Sequence, residues 1–212
     1  TWRNSSSVGS GTAPPVKRIA QEAGLPVLQP AKLRTAEFLE QLQSWDPDLI
    51  VVVAYGRILP KAVLELPRHG CINVHASLLP RHRGAAPMQW AILCGDQWTG
   101  VTIMQMSEEL DAGDILLQRK TPIGADESFP SLHDRLAHLG ASALMEALEG
   151  LRQGTLEPQP QDATLATFAP QIRKEDGRID WRLPAVEIAR RVRAFDPSPS
   201  AYTELNGRRL RI

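Results

Sequence analysis

A chain of 212 residues, 42% hydrophobic and 23% charged, has the composition of a folded globular protein, which excludes a collagen, a coiled coil and a disordered tail. Its 24 basic and 24 acidic residues balance, arguing against a chain-wide nucleic-acid surface. The longest apolar run, Leu49 to Tyr55, is seven residues where a membrane span needs roughly 20, so no spanning helix and no membrane partner are expected.

Residues 1–15, rich in Ser, Gly and Pro, read as a loop. They lack the apolar centre of a secretory signal, which makes a reducing, cytoplasmic compartment the default expectation. Val16, Ile19 and Ala20 have helical spacing before a stop at Gly24, and LPVL (25–28) reads as a short strand. Thr35 is a candidate N-cap for a helix over 35–45 with Phe38, Leu39 and Leu42 on one face. The β-branched run 48–55 predicts a strand apolar on both sides, which belongs in the middle of a covered sheet.

A short helix after Pro60 leads to a second buried strand over 70–76. A helix over 86–95, strands over 100–106 and 114–123, and a long amphipathic helix over 131–151 follow. Strands alternating with helices predict a parallel or mixed α/β sheet. Cys71 and Cys94 form no CxxC pair and are expected as small buried hydrophobes, with no metal site. Residues 158–171 read as a linker, and residues 184–195 as a helix with its positive charges on one side. Residues 171–212 hold ten basic against six acidic groups, the mark of a polyanion-facing tail or of a solvated Arg-rich helix face. The final AYTEL and RRLRI flank Asn206-Gly207, the preferred type I′ hairpin pair.

A lone hairpin is marginal in water, and only LPVL precedes a strand that wants a neighbour on each side. The chain is therefore expected to be the middle of a longer protein, missing sheet strands at its start and most of a small β domain at its end.

The chemistry-bearing stretch is 70–114. Asn73 and His75, two apart, share one face of a strand and lie at its C-terminal end, where open α/β sheets bind ligands. A carboxamide can donate to a developing oxyanion and an imidazole can move a proton or stabilise the same charge, a pairing suited to acyl transfer. In SLLPRHRGAAP (77–87), Arg81 and Arg83 face an anion or water, and His82 reads as a solvated loop residue. The turn LDAGD (110–114) carries Asp111 and Asp114, turn formers unless a histidine lies beside them, in which case an aspartate fixes the tautomer and stabilises the charged ring.

The strand-end Asn-x-His, the SLLPxxxG loop and the LDxGD turn, in this order and spacing, resemble the core signature of the folate-dependent formyltransferases. DLIVVVAYGRILPKAVLELP and RIDWRLPAVEIARRVRAFDPSP carry the resemblance along the chain from about Pro15. It implies a Rossmann-like α/β sheet with helices on both faces, as a catalytic domain over 1–170. A linker and helix over 171–194 and the beginning of a C-terminal, OB-like β domain over 195–212 would follow. It further implies transfer of a formyl group from 10-formyltetrahydrofolate to an amine, by a monomer that needs no metal. Asn73, His75 and Asp111 would be the catalytic trio.

By the same resemblance the folate would contact Arg57, Ile58 and Leu59 after the 48–55 strand, with Ser77, Leu78, Leu79, Pro80 and Asp114. Ile58 and Leu59 alternatively read as core. The C-terminal tail favours an initiator methionyl-tRNA as the acceptor. A sugar-nucleotide amine, glycinamide ribonucleotide, folate hydrolysis or an inactive binding module are the alternatives. The relatives' basic loop before the first helix is represented here by Arg3 alone.

Overall fold

In a computed structural model, which describes residues 13–212, four strands form one mixed sheet in the order β1-β2-β3-β4. These are β1 (Ile50–Val53), β2 (Cys71–His75), β3 (Trp98–Gln105) and β4 (Ile115–Pro122). β1 and β2 run parallel, with Val52 opposite Asn73, while β2–β3 and β3–β4 are antiparallel. The loop expected over residues 1–12, with Arg3, lies outside the described residues.

Helices α1 (Pro15–Glu22), α2 (Ala36–Gln43), α3 (Lys61–Leu64), α4 (Pro87–Cys94), α5 (Phe129–Gln153) and α6 (Ala185–Phe195) punctuate the strands. Thr35 caps α2 as its sequence predicts, accepting from the Phe38 N–H at 3.3 Å. On α5 the buried positions are Leu132, Leu136, Gly140, Ala143 and Ala147, steps of three and four that trace a single stripe. That stripe packs with Ile72, Val101, Ile103, Ile92 of α4 and Ala194 and Phe195 of α6 into the main core. α6, expected beside a linker, is thus a packed element of that core.

The other sheet face carries Cys71, Asn73, His75 and Thr102. It is covered by α3, whose Val63 and Leu64 carbonyls accept from the Cys71 thiol, and by the 77–86 loop, whose Ser77 carbonyl accepts from Thr102 Oγ1 at 2.7 Å.

Four sequence expectations are corrected. Residues 25–28 form no strand, and Leu25 is exposed; no described strand pairs with them. The 48–55 strand stands at the edge of the described sheet: β1 has β2 as its one neighbour among the described residues, and Val51 and Val53 are exposed. The strand buried on both faces is β3, with six consecutive buried residues between two neighbours. Cys94 is exposed near the end of α4, whereas Cys71 is buried.

The fourth correction is the 158–171 segment, which is no free linker. It lies as a strap across the sheet end, bridging Gln159 to Ile115 and Phe168 to Arg83. The terminal hairpin, β5 (Tyr202–Leu205) and β6 (Arg208–Arg211), turns through Asn206 and Gly207 with positive φ at both, as a type I′ turn requires.

Candidate active site

Strand β2 delivers Asn73 and His75 to one face at its C-terminal end. His75 is buried, and Asn73 is half-buried. The His75 Nε2 lies 2.9 Å from the His82 carbonyl oxygen. A peptide carbonyl only accepts, so Nε2 carries a hydrogen and Nδ1 is the nitrogen left to gain or lose one.

His75 Nδ1 faces Asp111 Oδ2 at 3.7 Å, within reach of charge attraction and too long for a direct hydrogen bond. The Asp111 carboxylate is itself fixed, because Oδ2 accepts from the Gly84 N–H at 2.8 Å. Asp111 sits at φ 49°, a left-handed conformation that short polar side chains tolerate. In the β3–β4 turn Gly113 passes so close to the Gln105 carbonyl that any Cβ would collide with it.

The 77–86 loop is held from beneath by an ion cluster. Arg81 grips Asp96 with two bonds, Nε to Oδ2 at 2.8 Å and Nη2 to Oδ1 at 2.5 Å, while His82 Nε2 meets Oδ2 at 2.7 Å. Burial raises the Asp96 carboxyl, but the hydrogen bonds from His82 and Arg81 and their positive charge outweigh it and hold the pKa at about 2. His82, expected in solvent, is buried because the loop folds back over it. Neither arginine is free for an anion: Arg83 is buried and donates to Gln161 Oε1 through Nε at 3.1 Å and Nη2 at 2.8 Å.

The other expected ligand positions separate into two groups. Arg57 and Ile58 are exposed and Leu59 half-buried in the loop leaving β1. Because β1 runs parallel to β2, that loop emerges at the same sheet end as His75. Ile58 is 80% exposed and is not part of the core of the described residues, and Arg57 Nη1 donates to the Pro30 and Ala31 carbonyls. Leu78 and Pro80 are half-buried.

Ser77 and Leu79 are buried and do not suit the ligand contacts expected of them. The Ser77 hydroxyl donates to Arg81 O at 2.6 Å, and the Leu79 N–H donates to Thr102 Oγ1 at 3.1 Å. Both therefore build the loop. Asp114, half-buried, accepts through its carbonyl from the Gln105 N–H. Cys71 is unsuited to nucleophilic work: burial pushes its thiol up to about 11, so the thiolate is scarce at neutral pH.

The sequence pattern of the formyl transferase family matches residues 7–148, and that of the formyl transferase C-terminal domain matches residues 171–212. The chain belongs to the formyl transferase family. It is 57% identical over 201 residues to a methionyl-tRNA formyltransferase of Desulfotalea psychrophila, covering 95% of this chain and 62% of that protein. It is 54% identical over 199 residues to one of Citrifermentans bemidjiense, covering 94% and 63%. This formyl transferase family member thus spans less than two thirds of the length of the curated relatives it matches.

Among solved structures, HypX from Aquifex aeolicus in complex with tetrahydrofolic acid superimposes with a TM-score of 0.70 at 28% identity, over 81% of this chain and 30% of that one. The mixed sheet with its packed helices is accordingly the formyl transferase fold. No helix among the described residues is long and apolar enough to cross a membrane.

Sequence reading missed Gln161, Asp96 and the strap. Gln161 Nε2 donates to the carbonyls of Asp111 at 2.9 Å and Gly113 at 2.7 Å, while Thr167 Oγ1 accepts from the His82 N–H. Gln161 and Thr167 are 48 to 85 positions from these partners, and no spacing rule reaches that far.

Proposed function

We propose that this chain transfers a formyl group from 10-formyltetrahydrofolate to the amino group of methionyl-tRNA, in the cytoplasm. The observation that carries the proposal is the juxtaposition of His75 Nδ1 and Asp111 Oδ2 at 3.7 Å, two residues along the strand from the carboxamide of Asn73. The names of the relatives above 50% identity support the acceptor, and the tetrahydrofolic acid bound by HypX supports the donor.

The folate supplies the formyl carbon. Ile58, Leu59, Leu78 and Pro80 offer apolar surface for a flat heteroaromatic ring at the sheet end that holds His75. As the amine attacks, the Asn73 amide donates to the oxygen on which negative charge develops. His75, its Nε2–H committed to the His82 carbonyl, works through Nδ1: an imidazolium there adds positive charge to the site and meets the Asp111 carboxylate. Asp111 accepts the amine's surplus proton through water, for return to the departing nitrogen. The new C–N bond replaces the one broken, so no redox partner is needed.

The test is formyl transfer from 10-formyltetrahydrofolate to methionyl-tRNA, assayed on the chain and on His75→Ala. Transfer by the parent that the variant lacks supports the reading. Equal background in both, with the fold intact by circular dichroism, refutes it, and transfer to a sugar-nucleotide amine in place of the tRNA corrects the acceptor.

A further inference from the structure

Every hydrogen-bonding position of the Gln161 side chain is directed at the two loops that meet at the site. Its Oε1 accepts from Arg83 of the 77–86 loop at 3.1 and 2.8 Å. Its Nε2 donates to Asp111 O and Gly113 O, on either side of the residue between them, at 2.9 and 2.7 Å. Arginine can only donate and a peptide carbonyl can only accept, so the partners themselves dictate which end of the amide is oxygen. A side chain satisfied four times in this way has one orientation.

The strap that carries Gln161 is tied down on both flanks. Gln159 exchanges backbone bonds with Ile115, just beyond the LDAGD turn, at 2.8 and 2.9 Å. Arg83 N–H donates to Thr167 O at 2.8 Å, and Ala169 N–H returns to Arg83 O at 2.7 Å. The contact with the strap is close enough to demand glycine at 84, where φ is +123° and a Cβ would fall 2.7 Å from Ala169 O. Gly84 is also the residue whose N–H holds the Asp111 carboxylate.

We infer that Gln161 is a positioning residue: it clamps the turn bearing Asp111 onto the loop bearing Arg83 and Gly84, and so sets the placing of the Asp111 carboxylate beside His75. This rests on the function proposed above. It assigns to the strap the task of aligning groups that come from two separate parts of the chain. Such alignment matters because displacing a reacting group by about 1 Å can cost on the order of a hundredfold in rate.

Gln161→Glu tests it with a nearly isosteric change. A carboxylate still accepts from Arg83, so the strap stays attached to that loop, but it cannot donate to the carbonyls of residues 111 and 113 and repels them. The expected result is a fall in kcat of about 10- to 100-fold with KM for the folate changed less than about threefold, and little further loss when the change is made in an Asp111→Asn background. Gln161→Met, which has no polar bonds to either loop, should behave likewise. Full additivity with Asp111→Asn, or a kcat within twofold of the parent in both variants, overturns the inference.

A second measurement does not need turnover. In ¹H–¹⁵N spectra the Gly84 amide reports its bond to Asp111 Oδ2, and its resonance should move in Gln161→Glu in the direction that Asp111→Asn moves it. An unmoved Gly84 amide refutes the clamp even if the chain transfers no formyl group. A moved amide in a chain without transfer leaves the clamp standing and refutes the proposed reaction.

Discussion

Around His75 the polar side chains bind one another, whereas between Leu25 and Ile58 apolar side chains stand open to solvent. In the first region Arg81, His82 and Asp96 close on themselves, Ser77 and Thr102 fix the loop to β3, and Gln161 joins that loop to the Asp111 turn. In the second, Leu25, Trp45, Val51, Val53, Tyr55 and Ile58 are all exposed. The difference is one of pairing: polar groups drawn out of water need partners, whereas the second region borders β1 at the edge of the described sheet, where no described strand covers it.

The contrast can be broken most severely at His75. His75→Ala should lower formyl transfer by about a thousandfold, the scale of losing a positioned proton-transfer and charge-stabilising group, read as kcat at saturating folate. Gly84→Ala comes next: a side chain at positive φ facing the Ala169 carbonyl should cost about 3 kcal/mol of stability, measured by urea unfolding, and should loosen the strap from the loop.

Asp96→Asn should cost about 2 kcal/mol at neutral pH, lowering the melting temperature by about 6 °C. Because the folded-state pKa of Asp96 is depressed, to about 2, its contribution is fully present above the ordinary carboxylate pKa near 4. That contribution is lost as the pH falls from about 4 to about 2. The variant should lack that part of the acid slope in unfolding measured across this window.

The smallest stability effect belongs to the open region. Ile58→Ala should leave the unfolding free energy within about 0.5 kcal/mol while raising KM for the folate severalfold. A stability loss of several kcal/mol there would erase the contrast between the two regions.

Much of the fold was legible residue by residue. The α5 stripe, the Thr35 cap, the Asn206-Gly207 turn and the β-branched and alternating strands were each visible in windows of a few residues. The Asn73-x-His75 pair was legible for the same reason, since a strand's two-residue period places both on one face. What escaped was context. Val51 and Val53 look like core residues in a local window, and only the absence of a neighbour beyond β1 among the described residues leaves them exposed.

His82 and Gln161 show the same division at the site. One looks like a solvated loop histidine and the other like part of a linker, yet the folded chain buries the first against Asp96 and spends the second on four hydrogen bonds. By itself the sequence determined the identity of most elements and the residue types at the strand tip and the turn, because propensity, capping and periodicity act between near neighbours. The tertiary structure alone decided which described strand is buried on both faces, which polar groups are satisfied and how Asp111 comes to face His75, because those depend on contacts between residues 14 to 85 positions apart that no local pattern encodes.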